Sequence, residues 1–278
     1  MDVSVVIPTH NRVALVSRAI RSVFGQTLAP REIIVVDDGS DDGTAPLLAR
    51  TFPSVTILRQ ANAGVSAARN RGINAATGEW IALLDSDDEW LPRKLELQAK
   101  LLAGHPEVRV CHTDEIWIRN GRRVNPGRRH AKPEGRIFRQ CLPLCCVSPS
   151  SVLLHGSVLA DAGLFDPDLP ACEDYDLWLR VFQRYRAGLV KEPCVIKYGG
   201  HHDQLSRRHW GMDRFRVHSL DKLLLRDTLD AGDRGACIDT LRRKCEILVQ
   251  GMERRGNVEG AGHYRRISNR WSAGQPAC

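Results

Sequence analysis

The sequence predicts an α/β fold in which a mixed, mostly parallel sheet is flanked by helices. Residues 3–8 and 32–36 are short apolar runs, which are typical of strands buried on both faces. Between them, Val16, Ile20 and Val23 recur at helical spacing. A strand, a helix and a second strand within the first 36 residues predict a βαβ unit, whose two strands are parallel.

A third apolar run, residues 80–84, ends in a cluster of carboxylates. Ligands of parallel α/β sheets bind beyond the carboxyl ends of the strands, which is where these acids would lie. Asp85 and Asp87 are two residues apart, so their side chains point to the same side if the extended conformation continues. Paired carboxylates repel unless a cation lies near them, and their hard oxygens suit Mg²⁺ or Mn²⁺. The alternative is an acidic N-cap for a helix that begins near Leu91.

Polar residues also stand at the ends of other predicted elements. Asp38 ends the second strand, and Asp174 lies at the start of a later helix. Asn62 and Gly64 lead into a helix that carries Arg69, and the free amides of that helix N-terminus could receive an anion. The alternative is that these residues only form turns and caps, where such residue types are common.

The remaining elements follow from the same patterns. Further strands are predicted at residues 55–58, 108–111, 116–118, 148–154 and 194–198, and further helices at 65–76, up to about residue 102, and at 210–230. Apolar residues then recur at spacings of three and four from Ile238 to Met252, which predicts a long amphipathic helix. The chain after residue 206 is therefore expected to be a helical extension that packs on the domain or on a partner.

The composition bounds the class of protein. The chain has 278 residues, of which 42% are hydrophobic and 26% charged, as in ordinary globular proteins. No stretch approaches the roughly 20 apolar residues that span a bilayer, and the N-terminus enters a strand pattern without a signal peptide. The nine cysteines form no CxxC pair, so reduced thiols without a chemical role are expected. These features favour a cytoplasmic location.

The net charge of +7 is concentrated in parts of the chain. Residues 119–139 carry eight basic residues and one acidic residue, and residues 207–278 carry 15 and nine. No nucleic-acid-binding motif accompanies these segments, so nucleic acid is not the expected partner. An anionic membrane surface, contacted peripherally, or a phosphorylated substrate fits the charge as well.

Six short motifs lie at residues 5–12 with 34–40, 62–64 with 68–70, 78–81, 85–87, 173–178 and 198–206. In order and spacing they resemble an inverting family 2 glycosyltransferase of the GT-A (Rossmann-like) fold. The resemblance covers about residues 3–206 and implies a glycosyltransferase domain at 1–206 with a helical extension at 207–278.

The resemblance implies a nucleotide diphosphosugar donor, with a UDP-sugar favoured, and a hydroxyl of a saccharide or lipid-linked molecule as acceptor. Asp174 would be the general base of a single displacement with inversion. Asp87 and His201 would ligate Mg²⁺ or Mn²⁺, although His202 is an open alternative to His201. The nucleotide sugar would be bound by Thr9, Asp38, Asn62, Gly64, Arg69 and Asp85.

Two other functions compete with transfer. A protein of the same fold could bind a nucleotide sugar or a partner without turnover. A nucleotidyltransferase also combines a parallel sheet with metal-binding acids, but it would carry a glycine-rich, basic phosphate loop where this chain has residues 8–12. A Rossmann dehydrogenase is disfavoured because no GxGxxG follows the first strand. The patterns do not indicate an oligomeric state.

Overall fold

The computed structural model describes residues 1–125, 127, 130–200 and 209–272. Its strands are β1 (Val3–Thr9), β2 (Glu32–Asp38), β3 (Thr56–Gln60), β4 (Trp80–Leu83), β5 (Glu89–Trp90), β6 (Val110–Arg119), β7 (Arg122–Val124), β8 (Leu153–His155) and β9 (Ala187–Gly199). Within the described residues these form a nine-stranded sheet with the order β3-β2-β1-β4-β8-β6-β9-β5, and β7 pairs with β6.

The sheet is mixed, with its parallel half first in the chain. Strands β3, β2, β1 and β4 are parallel neighbours, as the strand–helix–strand pattern predicts. Strand β8 then runs antiparallel to β4 and β6, and β9 runs parallel to β6. The two strands predicted at 108–111 and 116–118 are one strand, β6, so that division was wrong. The pairing of β6 with β9 shifts register on both sides of Asp114, and such an irregularity interrupts the polar–apolar alternation along a continuous strand.

The helices lie on both faces of the sheet. They are α1 (Val13–Phe24), α2 (Thr44–Thr51), α3 (Val65–Ala75), α4 (Lys94–Gly104), α5 (Phe138–Cys141), α6 (Gly156–Ala162), α7 (Glu173–Phe182), α8 (Asp213–Leu225), α9 (Ala231–Glu253) and α10 (Val258–Arg270), with a 3₁₀ turn at Pro149–Ser151. Helix α8 is shorter than the predicted 210–230 helix, because Gly211 has a left-handed φ of 64° before it and Asp227 has one of 52° after it.

Successive residues of the central strands point to opposite faces of the sheet and pack into a different hydrophobic cluster on each face. Val5 of β1 and Val35 of β2 face the core shared with α1 and α4, whereas Ile34 of β2 faces Ala68 of α3. This alternation is what a strand buried on both faces requires. Helix α3 approaches the sheet so closely that a Cβ on Gly72 would lie 2.4 Å from Val6 Cγ1, so a glycine is needed there.

The three C-terminal helices join the core on the α7 side of the sheet. Val217 and Leu220 of α8 and Leu241 of α9 belong to the same apolar cluster as Trp178 of α7. The boundary at residue 206 stays a prediction. Among the helices in the described ranges, none combines the length and the apolar character needed to cross a lipid bilayer.

Candidate functional site

A cleft of about 530 Å³ opens at the carboxyl ends of β1, β2 and β4. The N-terminal turns of α3 and α7 and the end of β9 complete its walls. Eight of the nine residues that the sequence nominates for the site line this one cleft, namely Thr9, Asp38, Asn62, Gly64, Arg69, Asp85, Asp87 and Asp174. The ninth, His201, lies outside the described residues, as does its alternative His202.

Asp38 organises the loop between β3 and α3. Its carboxylate accepts hydrogen bonds from the Gln60 side chain at 2.7 Å and from the amides of Ala63 and Gly64 at 2.9 and 2.8 Å. Because a carboxylate has about four lone-pair directions, these three donors leave about one for a ligand. The loop also passes within reach of Gly39, where an added Cβ would lie 2.8 Å from Asn62 N. The local sequence therefore fixes one wall of the cleft.

The buried hydroxyl of Thr9 also lines the cleft. Thr9 is only 3% exposed, and within the described part of the chain its Oγ1 has no hydrogen-bond partner. Next to it, His10 Nδ1 lies 2.8 Å from the carbonyl of Asp38, and the Asn62 amide lies 3.1 Å from His10 Nε2. A polar ligand group in the cleft would satisfy the Thr9 hydroxyl, which is costly to bury alone.

The acidic segment after β4 is a turn and not an extension of the strand. Strand β4 ends at Leu83, and the amide of Asp88 donates to the carbonyl of Asp85 at 3.0 Å. The expected extended spacing of Asp85 and Asp87 was therefore wrong, although both residues reach the cleft. The alternative of an acidic N-cap was wrong as well, because α4 begins at Lys94 and is preceded by Arg93.

Arg18 of α1 holds the tip of this turn. Its Nη2 donates to the carbonyl of Asp87 at 2.6 Å, and its guanidinium lies 3.7 Å from the centre of the Tyr198 ring. Tyr198 also lines the cleft, and its hydroxyl donates to Glu89 Oε2 at 2.9 Å. Stacking and hydrogen bonding thus connect α1, the acidic turn and β9.

Arg69 joins two carboxylates from opposite sides of the cleft. Its Nη2 donates to Asp85 Oδ1 and its Nη1 to Glu173 Oε1, each at 2.7 Å. Arg69 is 3% exposed, and although burial disfavours its charge, the two acids raise its pKa above the usual value. Burial raises the pKa of Glu173, against the opposing effect of Arg69. The bridge fixes the acidic turn relative to the start of α7.

Asp174 enters the cleft because the backbone turns sharply before α7. Cys172 has a left-handed φ of 63°, which is uncommon for a residue with a Cβ. Asp174 Oδ1 accepts the amide of Tyr175 at 2.7 Å, and the Cys145 thiol donates to Oδ2 at 3.3 Å. The carboxylate is therefore held in one orientation at the rim of the site.

Lys197 and Asp88 are among the charged residues of the cleft that sequence reasoning did not nominate. Burial raises the pKa of Asp88 to about 8, and its carboxylate accepts from Ser150 Oγ at 2.6 Å. Lys197 is half-buried on β9, and although burial disfavours its charge, nearby carboxylates raise its pKa. The carboxylates that act on Lys197 are Glu115, Asp88, Asp85 and Asp174. Asp88 is part of the acidic motif, whereas Lys197 lies within β9, where nothing in the local sequence marks it.

The oxygen ligands in the cleft suit a hard divalent cation. No group of three or more potential metal ligands clusters among the described residues. Mg²⁺ typically takes only one or two protein carboxylates and completes its shell with substrate phosphates and water. Asp87 and the second oxygen of Asp85 can supply such ligands, since Arg69 contacts only Oδ1 of Asp85. The residues present therefore fit the expected cation.

Two crystal structures of S. aureus TarS have the fold of this chain. TarS 1–349 in complex with UDP-GlcNAc matches with a TM-score of 0.66 and 17% sequence identity, covering 98% of this chain and 91% of TarS 1–349. The complex with UDP matches with a TM-score of 0.65, covering 99% and 92%. These likenesses confirm the predicted fold, a GT-A arrangement with a mixed, mostly parallel sheet flanked by helices.

Curated relatives described as uncharacterized glycosyltransferases share part of the sequence. The Rickettsia felis relative is 31% identical over 202 residues, which is 71% of this chain and 33% of the relative. YibD of Escherichia coli K12 is 40% identical over 122 residues, or 42% of this chain and 36% of YibD. YwdF of Bacillus subtilis is 29% identical over 229 residues, or 80% and 83%. The chain spans about a third of the length of the Rickettsia felis and Escherichia coli relatives.

A family model agrees with these relatives and with the fold. The model described as "Glycosyl transferase family 2" matches residues 4–157, which contain β1 to β8 and the whole acidic turn. This match covers more than half of the 278 residues. The chain therefore belongs to glycosyl transferase family 2.

Proposed function

We propose that this chain transfers a sugar, with inversion, from a nucleotide diphosphosugar to a hydroxyl group of a saccharide or lipid-linked acceptor. The observation that carries the proposal is the convergence of Asp38, Asp87 and Asp174 on one cleft, although they are far apart in the chain. The donor consists of a nucleoside, a diphosphate and a sugar. Asp38 would lie at the nucleoside, Asp87 at the diphosphate and Asp174 at the sugar, where the acceptor attacks.

The nucleotide would bind at the wall formed by β1, β2 and the loop before α3. The buried Thr9 hydroxyl and the remaining acceptor capacity of Asp38 suit a hydrogen-bonding heterocycle or ribose. Asn62, Gly64 and Arg69 would hold that wall together, with Arg69 acting through Asp85. The crystal structures of TarS with UDP and UDP-GlcNAc support a uridine nucleotide as the first choice.

The diphosphate would lie against the acidic turn. Asp87, with Asp85 beside it and His201 from the segment outside the described residues, would hold Mg²⁺ or Mn²⁺ there. The cation would supply charge stabilisation to the departing diphosphate. The chain itself contributes Lys197, whose positive charge partly offsets the carboxylates around it, so that an anionic group can approach the cleft.

Asp174 would take the proton of the acceptor hydroxyl as that oxygen attacks the anomeric carbon. The Tyr175 amide donates to one oxygen of Asp174 and the Cys145 thiol to the other, so the orientation of the proposed base is fixed by two hydrogen bonds. A base on one side of the sugar and a nucleotide leaving group on the other describe a single displacement. That geometry inverts the anomeric configuration, as in inverting glycoside hydrolases.

Release of UDP from UDP-GlcNAc in the presence of Mn²⁺ tests the proposal. Asp174→Asn should keep UDP affinity within about twofold and lower turnover by roughly 100-fold or more, because the base contributes on that order. Asp168→Asn is the matched control, since Asp168 is exposed and outside the cleft. If wild type and Asp174→Asn release UDP at the same rate, Asp174 is not the base. That result would favour the alternative of a protein that binds the nucleotide sugar without this mechanism.

A further inference from the structure

A cysteine-rich segment, residues 141–147, packs against the start of α7. Tyr175 donates its hydroxyl to the carbonyl of Leu142 at 2.7 Å, and Lys244 donates to the carbonyl of Pro143 at 2.8 Å. Both donors come from helices of the main body, so the segment is tied down at two points. This anchoring places the Cys145 side chain beside the proposed base.

The thiol of Cys145 lies between two oxygen acceptors. Its Sγ is 3.3 Å from Asp174 Oδ2 and 3.1 Å from the carbonyl of Val147. A thiol has only one proton, so it donates to one acceptor at a time. The other Asp174 oxygen, Oδ1, already accepts the Tyr175 amide at 2.7 Å. Together the two donors define both the position and the plane of the carboxylate.

We propose that Cys145 is a positioning residue for Asp174, holding the ionised carboxylate ready and releasing it by rotation of the S–H bond alone. This inference rests on the proposed role of Asp174 as general base. Before the reaction, Oδ2 of the carboxylate is the stronger acceptor and accepts the hydrogen bond of the thiol. Once Asp174 has taken the acceptor proton, the S–H bond turns to the carbonyl of Val147, and no heavy atom has to move.

The surroundings keep the Cys145 thiol protonated, as a donor must be. Burial, with a further effect of the Asp174 charge, raises the pKa of Cys145 well above the usual value. In the described part of the chain, the titratable groups that interact with Asp174 include Cys145, Cys146, Cys172, Glu173 and Lys197. Of these, Cys145 donates directly to the Asp174 carboxylate. Cys146 instead contacts Cys141, with 2.8 Å between the two sulfur atoms.

Alkylation of Cys145 by iodoacetamide tests its contact with Asp174 and needs neither the nucleotide sugar nor the acceptor molecule. Iodoacetamide reacts with the thiolate form of Cys145, and the negative charge of Asp174 lowers the population of that form. Asp174→Asn should therefore speed the alkylation of Cys145 by about fivefold or more, measured by peptide mass spectrometry at fixed pH. The Asp168→Asn control should leave the rate unchanged. An unchanged rate in Asp174→Asn would overturn the proposal.

The kinetics of UDP release from UDP-GlcNAc with Mn²⁺ test the role. Cys145→Ala loses one of the two hydrogen bonds that orient the Asp174 carboxylate, so the base is held in its working position less of the time. kcat at neutral pH should fall while KM for UDP-GlcNAc stays constant. Cys145→Ser, which keeps a donor, should restore most of kcat. Cys146→Ala is the matched control from the neighbouring position.

The two proposals can fail separately. If Asp174→Asn abolishes turnover but Cys145→Ala keeps the wild-type kcat, the role of Cys145 is overturned and the base assignment survives. If Asp174→Asn turns over normally, the base assignment fails, and alkylation still reports whether the contact exists. Equal thermal unfolding temperatures of Cys145→Ala and Cys146→Ala would exclude a general loss of folding as the cause of any difference.

Discussion

Arg69 illustrates how single residues of this cleft depend on one another. It is buried between Asp85, after β4, and Glu173, at the start of α7. Its third contact is the ring of Phe165, whose centre lies 5.0 Å from the guanidinium carbon. Only a planar group with several donors can satisfy both carboxylates in this geometry.

Replacing Arg69 should therefore destabilise the whole protein. In Arg69→Ala two acids lose their counter-charge, and Glu173 is buried, so the free energy of unfolding should fall by about 3 kcal/mol. Arg69→Lys should recover only part of this loss, because it cannot bridge both carboxylates. Urea unfolding measures both variants. Arg71→Ala is the control, since Arg71 is exposed on the same helix, and equal losses for Arg69→Ala and Arg71→Ala would contradict the account.

Gly39 is the residue that allows the β2 end and the loop before α3 to touch. It has a φ of 78°, and its missing Cβ would lie 2.8 Å from the backbone nitrogen of Asn62. Gly39→Ala should lower the free energy of unfolding by roughly 1–3 kcal/mol and weaken UDP binding, because strain and displacement of the loop add. Gly43→Ala has a similar φ of 87° but open space around its Cβ. UDP affinity should therefore change in Gly39→Ala only, and equal affinities of the two variants would refute this explanation.

Helix α4 carries a buried cation that sets a pH dependence of stability. Lys94 donates to Gln98 at 2.8 Å and lies 4.0 Å from the Trp90 ring centre, and burial lowers its pKa to about 7. In the unfolded chain the pKa is about 10.4. Between about pH 7 and 10 the unfolded chain therefore binds a proton that the native protein does not. The contribution of Lys94 to the free energy of unfolding should therefore rise with pH across that window, and below it the native protein carries a buried charge.

The comparison of Lys94→Met with wild type measures this effect. The free energy of unfolding of wild type minus that of Lys94→Met should rise by roughly 2 kcal/mol from about pH 7 to 9, because this difference isolates the titration of Lys94 from that of the other groups. Chemical unfolding at several pH values gives the slope. Lys100→Met, at an exposed position of α4, should keep the wild-type slope. A slope in Lys94→Met equal to that of wild type would show that another group titrates.

Helices and strands were predicted correctly where the local spacing of apolar residues determines them. They were predicted wrongly where pairing with distant parts of the chain determines them. The buried strands β1, β2 and β4 and the amphipathic helix α1 can be read from residue spacing alone. The continuity of β6 could not be predicted, because its irregularity at Asp114 is accommodated by hydrogen bonds to β9, some 80 residues later. The turn at Asp85 could not be predicted either, because it is held by Arg69 of α3 and Arg18 of α1, which are distant from it in the chain.

At the scale of the whole molecule, the acids at strand ends converge because parallel strands bring their carboxyl ends to one edge. That topological rule made Asp38, Asp85 and Asp87 predictable as neighbours. Asp174 lies far along the chain, and its place followed from the family resemblance. Lys197 and Cys145 could not be predicted, because their proximity to the acids depends on how β9 and the cysteine-rich segment pack.

The central claim is that the cleft binds a nucleotide diphosphate through a divalent cation at Asp87. Calorimetric titration of UDP into wild type with Mn²⁺, wild type with chelator, and Asp87→Ala with Mn²⁺ tests it most directly, with Asp41→Ala as an exposed control outside the cleft. We predict that Asp87→Ala and the chelator each weaken binding by about 100-fold or more, since even residues that only support a metal ligand affect metal affinity by about 10- to 100-fold. Undiminished UDP affinity in Asp87→Ala and in chelator would contradict the account.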